Sequence, residues 1–193
     1  LPLALAFSDY YEVVGYDIDD VRINTLKKEI DNNLDINFEL NSNLIFTNSE
    51  EYLKDCNIYI ITVPTPVDEN NFPDLSFLIS ATKSVAAILK KGDIVIYEST
   101  VYPGVTEEIC VPVLEKKSSL LFNIDFYCGY SPERISPGEM KYNLKEVVKI
   151  TSGSNEEIAE EIDWLYNRII NVGTYKAPSI KVAEAAKVVE NTQ

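Results

Sequence analysis

Short runs of β-branched and aromatic residues alternate along this chain with segments whose apolar positions recur every three or four residues. That alternation predicts an α/β fold, a doubly wound and mostly parallel sheet with helices on its faces. Strands are expected at 12–17 (EVVGYD), 44–47, 57–63 (NIYIITV), 93–99 (DIVIYES), 126–130 and 147–151. Several are apolar at every position rather than at alternate ones, the pattern of strands covered on both sides. Leu75, Leu78, Ile79, Thr82, Val85, Ala86 and Leu89 mark one helix between them. Ser154 followed by Glu157 has the spacing of a capping box opening another, whose buried stripe is Ile158, Ile162, Leu165 and Ile169. Further helices are expected over 20–30, over 105–117 with a disturbance at Pro112, and from Ser179 onward. Pro178 ends a short last strand and Ser179 can cap the helix after it, so a domain over 1–178 is expected, with 179–193 opening a longer helix.

At 193 residues, 46% hydrophobic and 25% charged, the chain can bury a core of one domain, or of one domain and part of a second. No apolar run approaches the roughly 20 residues of a membrane span, and no basic flank or cleavage site marks a signal peptide. A cytoplasmic protein without a membrane partner is expected. The 31 acids against 17 bases leave a formal charge of −14, which opposes nucleic acid as a general partner. With no histidine, Ser-His-Asp triads, Cys-His pairs and imidazole-ligated metals are removed, and no metal site is expected. Cys56, Cys110 and Cys128 are odd in number and far apart, which fits small apolar core residues better than a disulfide framework. The chain opens without Met inside the apolar segment LPLALAF, and its last helix still runs at Gln193, so both ends read as cuts through structure.

Chemistry gathers at the carboxyl ends of the strands, where open α/β sheets bind ligands. Asp17 ends the first strand; in a dinucleotide-binding unit an acid there accepts hydrogen bonds from the adenosine ribose and selects NAD over NADP, while a simple helix cap is the competing account. The stretch 64–74 (PTPVDENNFPD) follows a strong strand and places Thr65 to line a cofactor groove, or makes a proline-stiffened surface turn. In 97–106 (YESTVYPGVT), Thr100 can present its hydroxyl at the sheet edge, or cap its own turn. The helix starting near Val105 aims free N–H groups at any anion there. In 130–138 (YSPERISPG), two prolines fix a loop bearing Glu133 and Arg134, an acid able to handle a proton or water and a base able to grip phosphate, the alternative being an exposed ion pair. On the last helix Glu184, Lys187 and Asn191 share a face; Glu184 with Lys187 is ordinarily a solvated pair, but the alanines at 183, 185 and 186 allow close approach of another segment.

Taken together, LPLALAF, VVGYDIDDVRI, VPTPVDENNFPDL, KKGDIVIYESTVYPG, GYSPERISPG, TSGS and SIKVAEAAKVVENTQ resemble, in order along the chain, the UDP-glucose/GDP-mannose dehydrogenase family, and most closely its branch acting on UDP-N-acetylhexosamines. The resemblance implies a Rossmann-like NAD-binding domain, truncated before its first strand and glycine turn, then the start of a helix leading to middle and substrate domains. It implies oxidation of the C6 alcohol of a UDP-sugar to the acid with two NAD⁺, through a thioester on a cysteine outside this chain, for polysaccharide precursors, the alternatives being a UDP-glucose 6-dehydrogenase or a non-catalytic dinucleotide-binding remnant. Asp17, Arg22, Val63, Thr65 and Thr100 then hold the cofactor. Glu133 assists thioester hydrolysis, Arg134 and Ile135 touch substrate, Lys187 carries a proton or faces an oxyanion with Asn191 as its helper, and Thr100 stands beside the reacting groups. A homodimer through the missing middle domain is implied as well. In the sheet order 3-2-1-4-5-6 the missing strand is central, so the chain as given is expected to be an excerpt or a truncated gene product, poorly folded and inactive alone.

Overall fold

The computed structural model of the chain describes residues 1–31, 36–67, 69, 72–133 and 146–190. It divides into two compact units, 1–56 and 57–193. In the first, α1 (Pro2–Ser8) precedes β1 (Val13–Tyr16), α2 (Asp20–Leu26), the short strands β2 (Ile30–Asp31) and β3 (Ile36–Asn37), β4 (Leu44–Thr47) and a 3₁₀ turn at Glu50–Leu53. β1 and β4 pair in parallel, Val13 opposite Leu44 and Tyr16 opposite Thr47. Ile23 and Leu26 of α2 meet Leu44 and Phe46 in a buried cluster, with Leu1, Ala4 and Leu5 of the opening apolar segment packed against it. α2 stops four residues short of its expected end. Glu29 takes a left-handed φ of 62°, and Ile30–Asp31 turns back to pair antiparallel with Ile36–Asn37.

The second unit runs β5 (Ile58–Ile61), α3 (Ser76–Ala86), β6 (Ile94–Tyr97), a π-helical segment (Val105–Cys110) continuing into α4 (Val111–Ser118), β7 (Tyr127–Tyr130), β8 (Lys149–Thr151), α5 (Glu156–Asn167), β9 (Thr174–Lys176) and α6 (Ile180–Glu190). β6 lies between β5 and β7, all three parallel. β8 and β9 form another parallel pair, joined to β7 by an antiparallel bridge between Gly129 and Gly153. Within the first unit β4 and β1 are neighbours, and within the second β5, β6 and β7 follow one another in sequence order across the sheet.

All four residues of β6 are buried, which accounts for the absence of polar alternation in DIVIYES. The Tyr97 hydroxyl lies 3.2 Å from Thr82 Oγ1 of α3. One register step earlier, Gly129 stands opposite Ile96, and a Cβ built on Gly129 would fall 2.2 Å from Ile162 Cδ1 of α5 and 2.6 Å from the Ser152 carbonyl oxygen. Successive residues of a strand point to opposite faces, so α3 covers one side of this sheet and α5 the other. The sheet is doubly wound, and only glycine lets α5 and the Ser152 backbone approach so closely.

The helix starts follow local side-chain chemistry. Ser179 Oγ accepts from the Val182 N–H at 3.2 Å, the cap its sequence predicts. Asn155 rather than Ser154 caps α5, its Oδ1 accepting from Ile158 N at 2.9 Å. The cap thus falls one residue later than expected and the capping box does not form, while Ser154 Oγ accepts from the Cys128 N–H of β7 at 3.3 Å. Pro112, which has no N–H to give, sits in the first turn of α4, and the predicted disturbance takes the form of the π-helical segment before it. Among the described residues no helix is long and apolar enough to cross a membrane.

Burial governs the ionisation of this core. It pushes the Cys110 thiol from 9.0 up to about 11, and raises Cys128, Tyr97 and Tyr166 as well. The folded state therefore keeps protons that the unfolded chain releases, so this contribution is intact below the unfolded value and is lost as pH rises through the folded one. Cys110 alone accounts for about 3 kcal/mol of stability lost between roughly pH 9 and 11. Urea titrations across that range should show a falling midpoint, with a shallower fall in Cys110→Ala; equal slopes would contradict the assignment.

Candidate functional site

In the first unit, Asp17 follows the last residue of β1, and its N–H donates to the Thr47 carbonyl at 3.2 Å, so the residue is held at the sheet's carboxyl edge. It is not the helix cap. That role belongs to Asp19, whose Oδ1 accepts from Val21 N at 2.8 Å and Arg22 N at 3.2 Å. Asp17 Oδ1 instead accepts the Asp19 N–H at 3.0 Å, which orients the carboxylate. The Arg22 guanidinium is forked across the fully buried Asp31, with its Nη2 3.1 Å from Oδ2 and its Nη1 on Oδ1. Two of the five guanidinium donors are thereby committed and the plane is fixed. The Asp17 carboxylate is thus oriented at this edge by a backbone N–H.

In the second unit, the ends of β5 and β6 are stitched together just past their last paired residues. Ser99 Oγ donates to the Val63 carbonyl at 2.6 Å, and Thr65 Oγ1 donates to the Thr100 carbonyl at 2.6 Å. The structure thus brings Val63, Thr65 and Thr100 together at this edge. The Thr100 side chain is exposed and makes no hydrogen bond with another described residue, so it does not cap its own turn. The proline-rich stretch is closed by a bridge between Val67 and Pro73 and by the Asp74 N–H on the Pro66 carbonyl at 2.7 Å.

The helix start after Thr100 departs from expectation. Its donors are filled by this chain's own carboxylate: Glu184, fully buried on α6, accepts from Gly104 N at 2.6 Å and from Thr106 N at 2.9 Å. Gly104 has φ +100°, and a Cβ there would lie 3.1 Å from the Glu108 carboxyl, so glycine is required at this turn. Glu184 is therefore not the solvated partner of Lys187; it pins α6 to the turn that carries Thr100. Lys187, one helical step on and half-buried, forms no ion pair with another described residue.

At the end of β7, Ser131 Oγ donates to the Ile150 carbonyl at 2.7 Å and the Ser131 N–H to the Tyr97 carbonyl at 2.9 Å. The loop is seated on β6 and β8 just before Glu133. Lys149 Nζ lies 3.8 Å from Glu133 Oε2. Lys149 is itself buried and lies 3.1 Å from Glu98 Oε1. Burial raises the Glu98 carboxyl above its ordinary range, and the Lys149 ammonium and the Tyr166 hydroxyl pull it back down. Lys149, Glu98 and Tyr166 were not foreseen. The available signal was an acid within DIVIYES and a lysine within VVKIT, charges inside strands otherwise too apolar to be exposed. Arg134, Ile135 and Asn191 lie outside the described residues.

Comparison with known proteins places these features. The sequence model described as the UDP-glucose/GDP-mannose dehydrogenase family, NAD binding domain, matches residues 1–170. The chain is 57% identical over its whole length to a UDP-N-acetyl-D-glucosamine 6-dehydrogenase of Pseudomonas aeruginosa, covering 46% of that protein. It is 36% identical to a UDP-N-acetyl-D-mannosamine dehydrogenase of Pyrococcus horikoshii, again over all of this chain and 47% of the relative. The solved structure of a UDP-D-ManNAc dehydrogenase from Pyrococcus horikoshii superposes on 99% of the chain and 47% of its own with a TM-score of 0.87 at 31% identity. The chain thus spans about half the length of the relatives it matches.

The Glu184 clamp is open to test. Glu184→Ala leaves two buried N–H groups without an acceptor and should cost about 3 kcal/mol. Glu184→Gln keeps one acceptor but sets an NH₂ against the other N–H, so its cost should be intermediate. Chemical denaturation of the three proteins checks the order; an alanine variant as stable as the parent would contradict it.

Proposed function

Because the chain belongs to the UDP-glucose/GDP-mannose dehydrogenase family, we propose that it carries the NAD-binding part of an enzyme that oxidises the C6 alcohol of a UDP-N-acetylhexosamine to the acid with two NAD⁺. UDP-N-acetyl-D-glucosamine is the sugar nucleotide we favour, since the relative named for it is the more similar of the two. The observation that carries the reading is the stitched edge of β5 and β6, where Ser99 and Thr65 spend their hydroxyls on the facing backbone and Thr100 keeps its own exposed at the strand end.

The residues fit the cofactor. Asp17, oriented by the Asp19 N–H, accepts from the ribose hydroxyls and repels a 2′-phosphate. Arg22, braced on Asp31, borders the adenosine, and Val63, Thr65 and Thr100 line the rest of the path. Bound NAD⁺ supplies the hydride acceptor. Glu133, partly exposed beside a buried ammonium, is suited to accept a proton from a water or a hydroxyl. Lys187 offers a half-buried cation that can face a developing oxyanion, where a preorganised charge can lower a barrier by a few kcal/mol. Arg134, Ile135 and Asn191 complete the reading as substrate contacts. A homodimer in the cytoplasm, supplying polysaccharide precursors, belongs to the same proposal.

The test is NADH formation by the full-length protein with UDP-N-acetyl-D-glucosamine and NAD⁺, followed by absorbance, with two NADH expected per sugar oxidised. No NADH with any UDP-hexose or UDP-N-acetylhexosamine would overturn the assignment. Asp17→Ala should weaken NAD⁺ about 10- to 100-fold, the worth of a charge-assisted hydrogen bond, and narrow the preference over NADP⁺. Unchanged affinity and preference would remove Asp17 from the site.

A further inference from the structure

A lysine ammonium in a protein interior needs compensation, and at Lys149 the compensation exceeds what neutrality requires. The residue opens β8 with 3% of its side chain exposed. Its Nζ donates to the Pro132 carbonyl at 3.1 Å, lies 3.1 Å from Glu98 Oε1 and 3.8 Å from Glu133 Oε2, and stands 5.5 Å above the ring of Tyr166. The Tyr166 hydroxyl donates to Glu98 Oε1 at 2.5 Å. One cation thus faces two carboxylates. Glu98, with 2% of its side chain exposed, already balances it, whereas Glu133 is 41% exposed and does not need a buried partner for its own solvation. The second carboxylate and the carbonyl next to it in sequence are contacts that charge compensation alone leaves unexplained.

We infer that Lys149 is the positioning residue of Glu133. Glu98 and Tyr166 hold the ammonium from the sheet and α5, the ammonium fixes the Pro132 carbonyl, and the peptide so fixed sets where the Glu133 carboxylate stands. Glu98 lies two residues before Thr100, so one cluster ties the β6 end to the β7 loop. Among the described residues, the groups that face Lys149 are Glu98 just past β6, Glu133 from the β7 loop and Tyr166 from α5. The inference rests on the reading above, in which Glu133 handles a proton.

The experiment compares Lys149→Met, Lys149→Arg, Glu133→Gln and the Lys149→Met/Glu133→Gln pair in the full-length enzyme, assayed by NADH formation. Misplacing the loop should lower kcat of Lys149→Met about 10²-fold with KM for NAD⁺ unchanged. Lys149→Arg, which keeps the charge, should stay within a few fold of the parent. The pair should lose little more than Glu133→Gln alone, as expected of residues acting as a unit. Independent, multiplying losses, or a Lys149→Met enzyme with the parent's kcat, would overturn the inference. Glu133→Gln with full turnover would instead sink the reading of Glu133, whatever Lys149 does. If Lys149→Met fails to fold, Glu98→Gln decides: loosening the ammonium that holds the Pro132 carbonyl should lower kcat several-fold with KM for NAD⁺ unchanged, and the parent's kcat would overturn the proposal.

Discussion

Charges taken out of water hold the carboxyl edge of the second unit together. Lys149 is buried, so its ammonium can be tolerated only where good partners replace the lost hydration. Those partners come from three separate stretches: Glu98 past β6, the Pro132 carbonyl past β7, and Tyr166 on α5. Breaking such a cluster by removing one member is costly because it strands the others, and that cost is what fixes the relative positions of the two strand ends. Loops that are free to wander cannot hold reacting groups in place. These are anchored from beneath.

Glu184 applies the same device from the opposite direction. An unsatisfied helix start attracts any anion, and the donors at Gly104 and Thr106 invite the reading of a phosphate site. They are filled internally, by a carboxylate on α6 that 78 to 80 residues of chain separate from them. What the turn gains is a fixed relation to α6, the helix on which Lys187 sits. Two buried ionic contacts thus hold, one each, the segments that carry Thr100 and Glu133 in the proposed function, and Glu184 ties the first of these to the helix of Lys187.

Much of this was legible in the letters of the sequence. Apolar strands alternating with periodic helices have no other economical packing than a covered parallel sheet, so β1, β4, β5, β6 and β7 fall where expected, within a residue or two at their ends. Thr65 and Thr100 could be placed at the sheet edge because a strand end is a place defined by the local pattern alone. The shortfalls have a common physical source. α2 ends early because Ile30–Asp31 pairs with Ile36–Asn37, and the α5 cap falls on Asn155 while the Ser154 hydroxyl accepts from the Cys128 N–H. Glu184 and Lys149 turn inward to partners far along the chain. Local spacing describes what neighbours can do for one another, and each of these residues is committed to a distant one.

The account depends on Asp17, Thr100 and Glu133 serving one bound dinucleotide and its sugar substrate. The direct measurement is a crystal structure of the full-length protein with NAD⁺ and UDP-N-acetyl-D-glucosamine bound. It should show the adenosine ribose hydroxyls on the Asp17 carboxylate, Thr100 beside the nicotinamide end of the cofactor, and Glu133 within reach of the sugar's C6. A dinucleotide bound elsewhere, touching neither Asp17 nor Thr100, would contradict it.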